Sequence, residues 1–238
     1  MMSPASSAMA GVRPGPEHAE GPISGPMLLD ELLPSFDAAR IEHRVVAGDL
    51  ETTYEAVRRA DFVRAWRENG AVRILFAARA LGERVASALR RRSSPKPPEP
   101  ETLRLADLER EGEFVLLGEN PPSEIAFGMI GRIWAGETVW KRIHADEFTS
   151  FDRPGFGKIA SSISLRPYGP ERTLVSYETR TQATDGEARR GFMRYWRPLS
   201  PFIGIVLRAQ LRVIEEETGQ SRPWPRRPAR PGPGTGSS

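Results

Sequence analysis

The sequence predicts an α+β fold in which an antiparallel β-sheet grips a long C-terminal helix, and three observations predict it. First, residues 172–183, RTLVSYETRTQA, alternate as a strand and pass through Thr184-Asp185-Gly186-Glu187 straight into a helical pattern running from EARRGFMRYW to LRVIEEETG. Second, that helix has one apolar face: Phe192, Trp196, Leu199, Ile203, Leu207, Gln210 and Ile214 recur at spacings of three and four, with Leu211 beside them. Burying roughly six large apolar side chains at ~1.5–3 kcal/mol each gives a gross term of about 10–15 kcal/mol, so the helix needs a surface to lie on. Third, the segments ahead of it form successive β runs joined by short turns, the pattern of an antiparallel meander.

Composition narrows the function. The 238 residues suffice for one sizeable domain, read here as 27–219, with a Pro/Gly/Ser-rich tail at 1–26 and a basic, proline-rich tail at 220–238, both expected to be disordered. With no cysteine, there is no disulfide framework, thiolate metal site or cysteine nucleophile. His18, His43 and His144 are too dispersed for a histidine metal site, and neither a metal nor another cofactor is expected. No apolar run reaches the ~20 residues that span a bilayer, and the N-terminus lacks a signal-peptide apolar stretch, so the expected location is the cytoplasm. The net charge of +3 is read as an ordinary solvated surface, not a nucleic-acid site. Weak contact with an anionic partner through the C-terminal tail is a minor alternative.

Taken in order, Met27 to Ala39 is apolar enough to dock as a short helix interrupted at Pro34, covering a sheet edge or pocket mouth. Ile41 to Ala47 alternates as a half-buried strand with Ile41, His43, Val45 and Ala47 inward; His43 is read as a satisfied or edge histidine. Asp49 caps a helix with Leu50, Tyr54 and Val57 on one side, and another short helix covers Phe62 to Arg67. A further helix is expected to reach Arg91, followed by the connector SSPKPPEP at 93–100 and a helical turn at Leu105 to Glu109. The β region comprises Phe114 to Glu119, Glu124 to Trp134, a short strand at Val139 to Ile143, and Lys158 to Arg166, then the strand before the long helix. Thr184 and Glu187 have capping-box spacing, and Pro198 and Pro201 predict a kink or break between Arg197 and Phe202.

Three segments, LLGENPPSEIAFGMIGRIW, FTSFDRPGFGKIA and ETRTQATDGEARRGFMRYW, together with the element order, resemble the START-like, Bet v 1-like (SRPBCC) superfamily. The resemblance spans roughly Ile41 to Glu217 and points to a bacterial branch with a polyketide-cyclase-like label. It implies the helix-grip fold and a cavity between sheet and C-terminal helix suited to an apolar ligand. A shared fold carries no reaction with it.

Within that frame the candidate lining is Ile125, Phe127, Met129, Ile163, Tyr177 and Thr179 from the sheet and Phe192, Tyr195, Trp196, Leu199 and Ile203 from the helix. Tyr177, Thr179 and Tyr195 are its polar groups; Trp134, Trp140 and Trp196 are candidates to surround a ring. Glu178 and Arg180 alternate to the opposite face, where a charge ladder with Arg132 is expected. There is no phosphate loop with lysine, nucleophile elbow or metal-spaced histidine pair, and no residue is assigned as catalytic. The favoured partner is therefore a hydrophobic small molecule, a lipid, polyketide or similar. Two alternatives stay open: a cyclase or dehydratase using Tyr177, Tyr195 or a nearby arginine, and a domain with a filled core that presents its basic tail to a partner.

Overall fold

The computed structural model describes residues 26–68, 70, 101–134 and 138–220. The helix expected to reach Arg91, the connector 93–100 and nearly all of both expected tails lie outside the described residues. The elements are α1 (Leu28–Leu32), β1 (Ala38–Ala47), α2 (Leu50–Arg59), α3 (Phe62–Glu68), a 3-10 turn (Leu105–Asp107), β2 (Glu111–Gly112), β3 (Val115–Asn120), β4 (Glu124–Arg132), β5 (Val139–Lys141), β6 (Ile143–His144), α4 (Glu147–Ser150), β7 (Gly157–Pro167), β8 (Arg172–Ala183) and α5 (Gly186–Gln220). The main sheet is antiparallel in the order β1-β8-β7-β4-β3, with β5 paired to the far end of β4. The long helix α5 packs against it, so the fold is the helix-grip arrangement of the α+β class.

The pairing register sets out the inner face as rows across the sheet. Met129, Ile159, Thr181 and Ala38 form one; Phe127, Ser161, Thr179 and Arg40 the next; Ile125, Ile163, Tyr177 and Glu42 the third; Leu165, Val175 and Arg44 follow. Alternation puts every one of these side chains on the α5 side, as the shared core of Ile125, Phe127, Ile163, Leu165, Val175 and Tyr177 with Leu207, Leu211 and Ile214 requires. Tyr54 and Val57 of α2 and Phe62 and Ala65 of α3 close the same core from the side.

The expected inward face of β1 is reversed. Ile41 and Val45 are 46% and 36% exposed, and His43 meets Ser176 at 2.8 Å on the outer surface. Arg40, Glu42, Arg44 and Val46 point inward instead. The charged residues are satisfied there by α5: Glu42 accepts from Arg40 and from Arg208 (2.7 Å), and Arg44 pairs with Glu215 (2.6 Å). Burial raises the pKa of Glu42, but the two guanidiniums more than offset that and hold it below the ordinary carboxylate range.

The outer face of the sheet is also covered. Val115, Leu117, Ala126, Ile130 and Ala160 pack beneath Leu29 of α1, Leu33 just after it, and Phe148 and Phe156 around α4, making a second core. Arg180 anchors α1 there. Its guanidinium donates to the Leu29 and Leu33 carbonyls (3.1 and 3.4 Å), pairs with Glu178 (2.6 Å) and Asp30 (2.8 Å), and lies 4.9 Å from the Phe36 ring centre. Burial works against its charge, yet the Glu178 and Asp30 hydrogen bonds raise its pKa further. The expected ladder thus forms with Asp30 of α1, not with Arg132, which stands opposite Val139 at the end of β4.

The start of α5 also differs from the expected capping box. Asp185, not Thr184, caps the helix: its Oδ1 accepts from the amides of Glu187 (2.7 Å) and Ala188 (2.9 Å), and its Oδ2 from Gly155 (2.5 Å). The Thr184 hydroxyl is occupied by the Phe156 backbone, accepting its N–H and donating to its carbonyl. No break follows Arg197; α5 is helical over 35 residues with Pro198 and Pro201 inside. Both prolines and the residues four before them, Arg194 and Arg197, are exposed, so water can take the carbonyls that lose a donor. Asp49 caps α2 as the sequence suggests, accepting from the Thr52 amide at 2.8 Å.

Candidate functional site: the sheet–helix cleft

The residues expected to line the cleft do face one layer, but the structure sorts them into two groups. At the end near α2 and α3, Ile125, Phe127, Ile163 and Tyr177 are all buried. Tyr177 packs edge to face on Phe62 (6.3 Å between centroids) and on Phe127 (6.0 Å), and Phe127 in turn on Phe114 (5.2 Å). These rings fill the space between sheet and helix. Burial pushes the Tyr177 hydroxyl far above its ordinary pKa, which makes it a poor proton donor in that position.

At the other end the side chains on the same two surfaces are less covered. Met129, Ile159 and Thr179 from the sheet and Tyr195, Trp196, Leu199 and Ile203 from α5 are only half-buried. Thr179 brings a polar fixture: its hydroxyl and that of Ser161 are hydrogen-bonded at 3.0 Å. The extremity is closed by aromatic packing. Phe192 is fully buried, stacking on Trp196 (5.6 Å) and meeting Trp134 edge to face (5.8 Å). Trp134 fits because Gly157 and Gly191 flank it; a Cβ on Gly191 would stand 2.5 Å from the indole Cδ1. Trp140 packs over Gly131, the β4 residue paired with Gly157.

One flank of the cleft is charged, which the sequence pattern did not reveal. Arg40, Glu42 and Arg208 meet where α5 crosses β1, and Gly204 is the residue that admits them: a Cβ there would come within 2.6 Å of both the Arg40 and Glu42 side chains. The signal that could have found this cluster is the polar phase of β1, Arg40-Glu42-Arg44, matched to Arg208 and Glu215 one and three turns along the last half of α5. No group of three His, Asp or Glu among the described residues is placed to hold a metal ion, and no helix among them is long and apolar enough to cross a membrane.

No family model and no curated protein matches the chain. Among solved structures, a conserved protein from Geobacillus kaustophilus aligns over 77% of this chain and 97% of its own at 11% identity, with a TM-score of 0.36. CalU16 from Micromonospora echinospora aligns over 76% of this chain and 84% of its own at 12% identity and a TM-score of 0.26. The di-domain ARO/CYC StfQ from the steffimycin biosynthetic pathway aligns over 77% of this chain and 52% of its own at 12% identity and a TM-score of 0.31. At such identities, any chemistry has to come from this chain's own side chains.

Proposed function

We propose that this protein binds a hydrophobic small molecule, of lipid or polyketide kind, between the sheet and α5, at the end lined by Met129, Thr179, Tyr195, Trp196, Leu199 and Ile203. One observation carries the reading. Apolar side chains from two facing surfaces remain half-buried at this end, whereas the same layer is sealed at the other by Phe62, Phe127 and Tyr177. An apolar body laid there would remove that surface from water at about 25 cal/mol per Å². Thr179, and Tyr195 at the helix side, supply the few polar groups that orient such a ligand. Ile125, Phe127, Ile163 and Tyr177 then act as the floor of the site and not as contacts along its length.

The test is native mass spectrometry of gently purified protein before and after organic extraction, with a Met129→Arg/Leu199→Arg variant run beside it. A discrete extractable mass on the wild type, lost from a variant whose far-UV circular dichroism is unchanged, is the expected result. Equal retention by the folded variant would refute the placement. A wild type carrying no extractable mass and failing to take up a fluorescent fatty acid would refute ligand binding itself. Phe127→Arg is not a suitable variant, because Phe127 is 2% exposed and packed on two rings.

A further inference from the structure

The outer side of the molecule, on the far side of the sheet from α5, carries a groove of about 510 Å³ between β5–β6 and α4 with its following loop. Three cations line it, Lys141, Arg142 and Arg153, against one carboxylate, Glu147. Glu147 is already engaged, its Oε2 accepting from the His144 amide at 3.1 Å, and Arg142 is tied to Glu111 at 3.0 Å. Lys141 and Arg153 are drawn into no ion pair among the described residues. They lie against an aromatic ring instead: the Lys141 ammonium is 5.3 Å and the Arg153 guanidinium 5.8 Å from the centre of Phe156. Phe156 is buried and packs edge to face on Phe151, whose own half-buried ring lines the groove.

Two uncommitted cations held by stacking, beside a partly exposed phenyl ring, are pre-organised to receive a ligand with an acidic group and a flat apolar body. The groove volume falls in the range that holds a drug-sized ligand. We infer that this groove is a second binding site, separate from the sheet–helix cleft, for a small aryl anion: an aryl phosphate or aryl carboxylate whose charged group meets Lys141 and Arg153 and whose ring lies on Phe151.

Isothermal titration calorimetry on the full chain tests it with phenyl phosphate, benzoate and inorganic phosphate as probes. Phenyl phosphate or benzoate binds saturably, and which is tighter identifies the acid. Inorganic phosphate, lacking the ring, binds severalfold more weakly. Lys141→Ala and Arg153→Ala each weaken the aryl anion by about tenfold, the loss of one charge-assisted contact. Neither side chain contributes to either core, so both variants fold. Absence of saturable binding by both aryl anions, or unchanged affinity in the Lys141→Ala/Arg153→Ala double variant, overturns the inference. Equal affinity for inorganic phosphate overturns the role of Phe151.

Discussion

Replacing Arg180 by methionine should release α1 from the sheet while leaving the rest of the fold in place. The side chain is 10% exposed, and methionine keeps its apolar stem packed while removing every donor. Lost are the charge-assisted bonds to the Leu29 and Leu33 carbonyls, at ~1.5–3 kcal/mol each with the longer one at the low end. The Asp30 pair, half-exposed on its acidic side, adds at most ~1 kcal/mol. The total is about 3–5 kcal/mol on the docking of α1. What remains is the burial of Leu29 and Leu33, worth ~3–6 kcal/mol together. Ordering the five residues of α1 costs ~5–10 kcal/mol in backbone entropy. Without the arginine the balance turns against docking. Hydrogen exchange by mass spectrometry should show the amides of residues 28–33 in Arg180→Met exchanging near the unfolded rate, with β7 and β8 still protected. Wild-type protection over residues 28–33 in a folded Arg180→Met protein would refute the reasoning, as would an equally large effect from Asp30→Asn.

Other substitutions test the remaining features. Glu124 is buried on the outer face, its Oε2 accepting from the Leu28 amide (2.9 Å); burial raises its pKa, more than the Leu28 amide and the Ser162 hydroxyl lower it. A raised folded pKa gives stability that is complete below the ordinary carboxylate value and is lost as pH rises through the raised one. Glu124→Gln should therefore flatten the fall in thermal midpoint as pH rises above the ordinary carboxylate range, and an unchanged pH profile would discount the buried carboxyl. Asp185 has the opposite sign: the amides of Ala188, Gly155 and Glu187 lower its pKa, so its contribution is present above the unfolded value and lost on acidification. Thermal melts at pH 7 and pH 3 should show Asp185→Ala losing stability mainly at pH 7, while Thr184→Ala disturbs the 155–157 loop and not the cap. Gly191→Ala should drive its methyl into Trp134, costing ~1–3 kcal/mol and altering the near-UV circular dichroism of the Trp134–Phe192–Trp196 stack; an unchanged spectrum would show that Trp134 has room to move.

Much of this architecture is written in local patterns, and its exceptions come from distant ones. The alternation of β8 and the three-and-four spacing of α5 are properties of adjacent residues, so strand, helix and their buried faces could all be read directly. In β1 the same alternation misled, because Ile41 and Val45 are the greasier phase. What turns Arg40, Glu42 and Arg44 inward is complementary charge on Arg208 and Glu215, more than 160 residues away. The second core was partly visible: the run EIAFGMIG in β4 is apolar in both phases, the mark of a strand covered on two sides. Choosing Asp185 over Thr184 as the cap depended on the Phe156 backbone claiming the threonine hydroxyl, a contact across 28 residues. Ile125, Phe127, Ile163 and Tyr177 lie on the α5 side of the sheet, as the alternation of their strands reads. Which end of that layer closes depends on where Tyr54 of α2 and Phe62 of α3 arrive, and no periodicity within β4, β7 or β8 records that.

The pairing of β1 with β8 also sets an order of events during synthesis. Ala38 to Ala47 leave the ribosome early, yet their partners lie between Arg172 and Thr181, and the arginine that fastens α1 is 151 residues downstream of Leu29. At ~5–20 residues per second the segment Ala38–Ala47 waits on the order of 10 s for the strand it will join. Throughout that interval the segment Ala38–Ala47 lacks the partner it pairs with in the folded protein. A parallel, in-register pairing of two such segments would set Arg40, Glu42 and Arg44 each opposite its own kind, which like-charge repulsion opposes. The residues that brace α5 in the folded protein are thus also the ones that would disfavour that in-register pairing.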